Sequence, residues 1–258
     1  MSFDFAAALV FAALVTGLVC ALDVWKLAPA RVAAGGVGGP RPMPWYVDWS
    51  RSFFPVIVVV LLLRSFVVEP FRIPSGSMLP TLRAGDFILV SKFSWGLRLP
   101  VSNTEILSTG EVKRGDVAVF RYPEDPSTAF IKRIVGLPGD KLVYRDKQLW
   151  VNGEAVAQTR VPGPVADLEP GLEARVEQLG DAKHLVQIAP RIADGPREYL
   201  VPAGHYFAMG DNRDNSRDSR YWGYLPAENL IGKAFMIWMN WDCVTGNGHC
   251  GRIGRIIE

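Results

Sequence analysis

Two serines, one unusual lysine and a dense run of Asp, Asn, Ser and Arg are the parts of this 258-residue chain equipped for chemistry. The serines lie in Phe71-Arg72-Ile73-Pro74-Ser75-Gly76-Ser77-Met78-Leu79-Pro80-Thr81-Leu82. Proline fixes its own φ and pushes its predecessor toward extended geometry, while glycine turns the chain where a Cβ would clash. The spacing predicts a rigid, irregular loop that presents small hydroxyls. Ser and Gly between prolines also make ordinary turns. A serine here attacks a carbonyl only when a base elsewhere takes its proton.

The three histidines, His184, His205 and His249, are each read in a polar or Gly-rich loop with no clear Asp or Glu pattern beside it. A Ser-His-Asp arrangement stays open, because its members need not be neighbours in sequence. His205, near an acidic loop, is the one to watch, and a surface histidine is the simpler reading. Lys132 is the other base. It sits in the strand-like Ala129-Phe130-Ile131-Lys132-Arg133-Ile134-Val135, where period two puts Phe130, Lys132 and Ile134 on one face. Such neighbours would desolvate the amine, and desolvation lowers a lysine pKa. At a reference pKa of about 10.4, neutralising the amine at pH 7 costs roughly 4.6 kcal/mol, so only a buried lysine is a useful base. An edge-strand lysine snorkelling over apolar neighbours fits the same pattern.

The third stretch is Gly210-Asp211-Asn212-Arg213-Asp214-Asn215-Ser216-Arg217-Asp218-Ser219-Arg220-Tyr221. It fails as an EF-hand, since neither Asp211 nor Asp214 as first position gives a carboxylate at the twelfth. It lacks the Gly-rich loop and lysine of a phosphate cradle. What remains is a network of paired Asp and Arg able to hold a lysine and a serine in register.

These parts need a frame. Phe5 to Leu22 is almost wholly apolar and long enough to cross a bilayer as a helix. Ala28-Pro29-Ala30 resembles a processing site, but the residues before Phe5 carry Asp4 and no Lys or Arg, so a retained span is read over a cleaved signal peptide. Phe53 to Val68, broken by Arg64 and Ser65, is read as a second span rather than a buried strand. Lys26, Arg31, Arg41 and Arg51 lie in or beside the segment between the spans, with a flexible Gly35-Gly36-Val37-Gly38-Gly39, which puts that loop in the cytoplasm and the rest across the membrane. Beyond residue 70 strands are expected at 86–93, 116–122, 129–135 and 233–239, with a hairpin of 141–144 and 148–151. Residues 152–198 are polar, Pro-rich and weakly patterned. Basic and acidic residues nearly balance, 28 against 26, so nothing points to nucleic acid.

Four stretches together resemble bacterial type I signal peptidase, a Ser-Lys dyad serine protease family. They are Pro74 to Leu82, Arg114-Gly115-Asp116-Val117-Ala118-Val119-Phe120, Lys132-Arg133-Ile134-Val135-Gly136-Leu137-Pro138-Gly139-Asp140 and Gly210 to Arg220. They occur in the family's order behind two spans. The resemblance implies Ser77 as nucleophile and Lys132 as general base, without histidine, metal or cofactor. It implies an oxyanion hole from the Ser77 backbone N–H and the Ser75 hydroxyl, which stabilises the charge developing on the attacked carbonyl. Ser216 is then expected to hydrogen-bond and orient the lysine. Asp218 and Arg220 form a supporting pair, with Asp211 and Arg213 in the same region. Ile73, Met78, Leu82, Phe130 and Ile131 are expected to line shallow pockets that admit small side chains at the −1 and −3 positions of preprotein signal peptides. The bilayer is the other implied partner, and Phe71, Trp95 and Trp222 are apolar residues for it or for the core.

The expected class is therefore mainly β: two N-terminal transmembrane helices, then a β-rich catalytic body with a smaller inserted β lobe. Residues 1–70 form the anchor (spans about 5–22 and 53–68), residues 71–140 and 199–258 the catalytic domain, and residues 141–198 the variable lobe. The chain is read as a monomer of the bacterial inner membrane with its catalytic domain on the periplasmic side. On that oxidising side a local disulfide between Cys243 and Cys250 is read over free thiols, and over a zinc site with His249. A self-cleaving repressor-type protease shares Ser-Lys chemistry but has no reason for two spans. A catalytically inactive, membrane-tethered binding module is the alternative outside enzymes.

Overall fold

The computed structural model describes residues 5–34, 42–98, 104–191, 195–246, 248 and 250–257. The chain divides into two compact units, Met1–Val68 with Leu97–Leu107, and Glu69–Gly96 with Ser108–Glu258.

In the first unit α1 (Phe5–Leu22) continues through a π-helical turn into α2 (Ala28–Ala33), and α3 (Trp45–Leu62) ends in a second π-helical turn, Leu63–Val67. Ala7–Ala33 and Trp45–Val67 are each long and apolar enough to cross a bilayer. Phe11, Leu14, Leu18, Val56, Val59 and Leu62 remain exposed, as expected of helices whose surroundings are hydrocarbon rather than a protein core. At Gly17 a Cβ would sit 2.9 Å from the Phe54 ring, so α1 and α3 pack closely there. Asp23 is buried between the Arg31 and Arg51 guanidinium groups at 2.5 and 2.8 Å. The second helix starts at Trp45, eight residues before the expected start at Phe53. Its first turns carry Asp48 and Ser50, which make a polar helix end look like loop; Ser50 Oγ donates back to the Tyr46 carbonyl. A short hairpin, β3 (Leu97–Arg98) with β4 (Glu105–Leu107), belongs to this unit and was not anticipated. The Gly35–Gly39 stretch, Arg41 and His249 lie outside the described residues.

The second unit is built on a seven-stranded sheet. Its strands are β1 (Val68–Arg72), β2 (Asp86–Ser91), β5 (Val117–Tyr122), β6 (Asp125–Gly136), β14 (His205–Met209), β15 (Leu225–Pro226) and β16 (Leu230–Asn240), in the order β1-β2-β16-β5-β6-β14-β15. The strand stretches read from the sequence at 86–93, 116–122, 129–135 and 233–239 become β2, β5, β6 and β16. One core cluster gathers Ile73, Met78, Leu82, Ile88, Val90, Val117, Val119, Ile131 and Ile237, and Phe71 packs on it. Another holds Ala118, Phe120, Ile134 and Leu225, with Trp95 and Trp222 against it. The three aromatics therefore pack on protein. A short helix, α4 (Ser219–Trp222), is capped by the Asp218 side chain, which accepts from the Arg220 backbone N–H.

Residues 141–200 make two smaller sheets. β7 (Lys141–Arg145) and β8 (Gln148–Val151) form the expected hairpin; Asp146 and Lys147 have φ of 49° and 66°, the left-handed pair a two-residue turn of this kind requires. With β9 (Glu154–Ala155) and β13 (Arg197–Leu200) they complete a four-stranded sheet. β10 (Gln158–Arg160), β11 (Glu173–Leu179) and β12 (Ala182–Ile188) form a three-stranded one. The weak pattern of residues 152–198 thus hides two well-packed strands. Ala174, Leu179, Val186 and Ile188 are buried, but so are Glu177, His184 and Gln187, which breaks the apolar alternation.

Candidate active site

The Pro74–Leu82 loop is fixed from both sides. Met78 and Leu82 sink into the core, while the Ser77 and Gly76 carbonyls accept from Asn212 N and Nδ2, both at 3.1 Å. Thr81 Oγ1 donates to Asp211 Oδ2 at 2.5 Å. Gly210 lies directly behind the serine: a Cβ there would fall 2.5 Å from the Ser77 carbonyl oxygen and 2.3 Å from Ser216 Oγ. Only glycine lets the two chain segments come this close.

Opposite the serine stands Lys132, on β6 paired with Ala118 of β5. Its Nζ is 2.7 Å from Ser77 Oγ and 2.9 Å from its neighbour's carbonyl, Ile131 O. The residue is only 4% exposed, and its Nζ lies 5.4 Å from the centre of the Phe130 ring. Burial lowers its pKa from 10.5 to about 8, against the pull of the Asp218 and Asp211 carboxylates toward the charged form. The period-two face of Phe130, Lys132 and Ile134 is half-buried at Phe130 and buried at the other two. The amine is therefore largely relieved of the cost that makes a solvated lysine a poor base.

Around the pair runs a buried ionic network. The guanidinium of Arg133, the next residue, grips Asp211 through Nε and Nη2, each at 2.9 Å, and reaches the Gly115 carbonyl through Nη1. Burial alone would raise the Asp211 carboxyl, but Arg133 holds it below the usual carboxylate range. Arg220 binds Asp218 through Nε and Nη2 at 2.8 Å, and Asp218 Oδ2 accepts the Gly210 backbone N–H at 3.0 Å. Arg213 pairs with Glu177 of β11. His184 is not in a loop: it lies buried on β12, 3.4 Å from Glu177, with its pKa lowered by desolvation and by the Arg133 charge. Gln187 exchanges backbone hydrogen bonds with Asp211 and Arg213, at 2.9 and 3.0 Å. These contributions from the lobe were invisible in its polar sequence.

A cleft of about 380 Å³ opens beside the dyad, lined among others by Pro74, Ser75, Ser77, Ala129, Phe130 and Lys132. Of the five residues expected at pocket walls, Phe130 and Ile131 line it. Ile73, Met78 and Leu82 do not; they are buried in the core, where apolar side chains close to a loop gain more by packing inward. Thr128, Asn215 and Arg217 line it without having been singled out for that place. Ser75 is exposed, and its Oγ donates to Ser77 Oγ at 3.4 Å. The hydrogen bond expected from Ser216 to Lys132 is not formed: Ser216 Oγ is buried and has no hydrogen-bond partner. Cys243 and Cys250 are joined by a disulfide. Among the described residues no group of three or more His, Cys, Asp or Glu is arranged to hold a metal ion.

The signal peptidase, peptidase S26, profile matches residues 46–241, more than half of the chain. Signal peptidase I of Pseudomonas aeruginosa is 47% identical over 271 aligned positions, covering 93% of this chain and 94% of its own length. Signal peptidase I of Pseudomonas fluorescens is also 47% identical, over 93% and 94%. That of Buchnera aphidicola subsp. Acyrthosiphon pisum is 37% identical, over 82% and 81%. The family match takes in most of α3, the loop that carries Ser77 and the strand that carries Lys132, and on it the chain belongs to the signal peptidase, peptidase S26, family.

Proposed function

We propose that this chain removes N-terminal signal peptides from preproteins as a serine endopeptidase, with Ser77 as nucleophile and Lys132 as its general base. The observation that carries the reading is the 2.7 Å approach of a buried amine to a cleft-lining hydroxyl. A neutral Lys132 takes the Ser77 proton as Oγ attacks the scissile carbonyl. The resulting ammonium returns that proton to the departing amine, leaving an acyl-enzyme, and the neutral lysine then activates water to release it. The Ser77 backbone N–H and the Ser75 hydroxyl face the oxyanion. Asp211, Asp218, Arg133 and Arg220 support the pair, and Ser216 lies behind it with its Oγ against Gly210.

Phe130 and Ile131 give the cleft apolar walls, suited to the small side chains at −1 and −3. Ile73, Met78 and Leu82 support Ile131 from the core, and Phe130 packs against Phe120 and its neighbours. No cofactor has a role. The chain comprises an anchor of residues 1–70, a catalytic domain of residues 71–140 and 199–258, and an inserted lobe of residues 141–198, a reading that the two small sheets within residues 141–200 support. The two apolar helices support an anchor in the bacterial inner membrane, and Lys26, Arg31, Arg41 and Arg51, in or beside the segment that joins them, support a cytoplasmic loop with the catalytic domain on the periplasmic side. The chain acts as a monomer there, with the bilayer and the preprotein as partners. An inactive tethered module has no support: the relatives named above are peptidases, and both dyad members are in place.

The test uses detergent-solubilised protein and a preprotein. Ser77→Ala and Lys132→Ala each lower cleavage on the order of 10⁴-fold or more. Cleavage at wild-type rate by either variant removes the dyad.

A further inference from the structure

Arg252 stands apart from all four family stretches, near the end of the chain, yet it is buried and its guanidinium reaches toward the nucleophile loop. Nη2 donates to the backbone carbonyl of Thr81 at 3.0 Å and to Asp86 Oδ2 at 2.7 Å. Nε donates to both Asp86 oxygens at 3.1 Å, and Nη1 to Asp167 Oδ2 at 2.7 Å. Asp86 is fully buried, and Asp167 also pairs with Arg83 at 2.9 Å. Three nitrogens thus join the loop, the start of β2 and the inserted lobe. Lysine, a point charge on a flexible stem, cannot replace that planar fork.

Thr81 is the part of this loop held at both ends. Its carbonyl belongs to Arg252, while its hydroxyl belongs to Asp211, which grips Arg133 beside Lys132. Met78 and Leu82, on either side, are wholly buried, so the turn has little room to absorb a displacement. A shift at Thr81 therefore reaches Ser77, whose geometry against Lys132 decides the rate.

The disulfide belongs to the same construction. Cys243 lies on α5 (Trp241–Val244), whose capping residue Asn240 accepts the Cys243 N–H at 3.1 Å and donates to Asp86 Oδ1 at 2.7 Å. Cys250 opens the turn Cys250–Arg252. The cross-link therefore joins the two chain segments that reach Asp86 from either side. Further on, Gly254 and Ile257 donate to the Ile237 and Phe235 carbonyls of β16. The turn carrying Arg252 is fixed before and after.

We propose that Arg252 is a positioning residue for Ser77, acting through the Thr81 carbonyl, and that the Cys243–Cys250 disulfide holds Arg252 in place. The proposal rests on Ser77 as nucleophile. The experiment measures kcat and KM for a preprotein with the full chain in detergent, over a range of pH. Arg252→Ala lowers kcat about 100-fold and Arg252→Lys about 10-fold. KM stays within about threefold and the midpoint of the rising pH limb does not move, because the surroundings of Lys132 are intact. The Cys243→Ser/Cys250→Ser pair lowers kcat a few-fold, about threefold, and has no further effect in the Arg252→Ala background. Wild-type kcat with only a lower melting temperature would reduce Arg252 to a structural residue. Fully multiplicative effects of the two changes would show that the disulfide acts elsewhere. Should Arg252→Ala not fold, Arg252→Lys and its combination with the serine pair carry the same comparison. Ser77→Ala run in parallel separates the two levels: residual cleavage there overturns the nucleophile, whatever Arg252 does.

Discussion

At the scale of single residues, two demands meet at Ser77: its hydroxyl must be open to a peptide, and its backbone must not move. The hydroxyl lines the cleft, while the carbonyl behind it accepts from Asn212 N and lies against Gly210. Replacing Gly210 by alanine puts a methyl 2.5 Å from that carbonyl, and backbone cannot yield as a flexible side-chain tip would. Gly210→Ala should lower kcat about 100-fold while the protein still melts cooperatively; an unchanged kcat would mean the segment has slack. Much of this was legible in the sequence. Pro74, Gly76 and Pro80 announce a stiff loop, and period two places Phe130 and Ile134 beside Lys132. What could not be read is which polar residues turn inward. Arg133 finds Asp211 across 78 positions, a pairing made by sheet topology rather than by any local pattern.

At the scale of elements, the inserted lobe is tied into the site. β11 and β12 send Glu177 and His184 inward to Arg213 and Asp211, and Gln187 of β12 bonds the backbone on either side of Asn212. Its polar sequence reads as an exposed, variable appendage because Glu, His and Gln are usually solvated. Here Glu177 is the counter-ion of Arg213, Gln187 is a backbone partner, and His184, its pKa lowered by burial, packs between Glu177 and Asp211. Removing one member of a buried pair leaves the other charged in the interior, which costs about 3–5 kcal/mol. Glu177→Gln should therefore lower the melting temperature of the full chain by several degrees, and an unaltered melting curve would show that Arg213 has found another partner.

At the scale of the whole molecule, composition foretold two classes of structure in one chain. The apolar excess at the N-terminus becomes α1 and α3, and the Gly- and Pro-rich remainder becomes sheets. The second span was read too short because Asp48, Ser50 and Ser52 look like a loop while serving as the polar first turns of a helix. The proposed orientation is testable by itself. A reporter inserted at residues 35–41 should read as cytoplasmic and one after Glu258 as periplasmic; the reverse would overturn the topology and leave the peptidase chemistry standing.

The claim on which the rest depends is that Lys132 works as a neutral amine. Its pKa, lowered to about 8, fixes the sign: protonation below that value removes the base, and deprotonation on raising the pH restores it. The direct measurement is kcat/KM for a preprotein from pH 5 to 10. It should climb about tenfold per unit below pH 8 and level off above it. A flat profile across that range would contradict it.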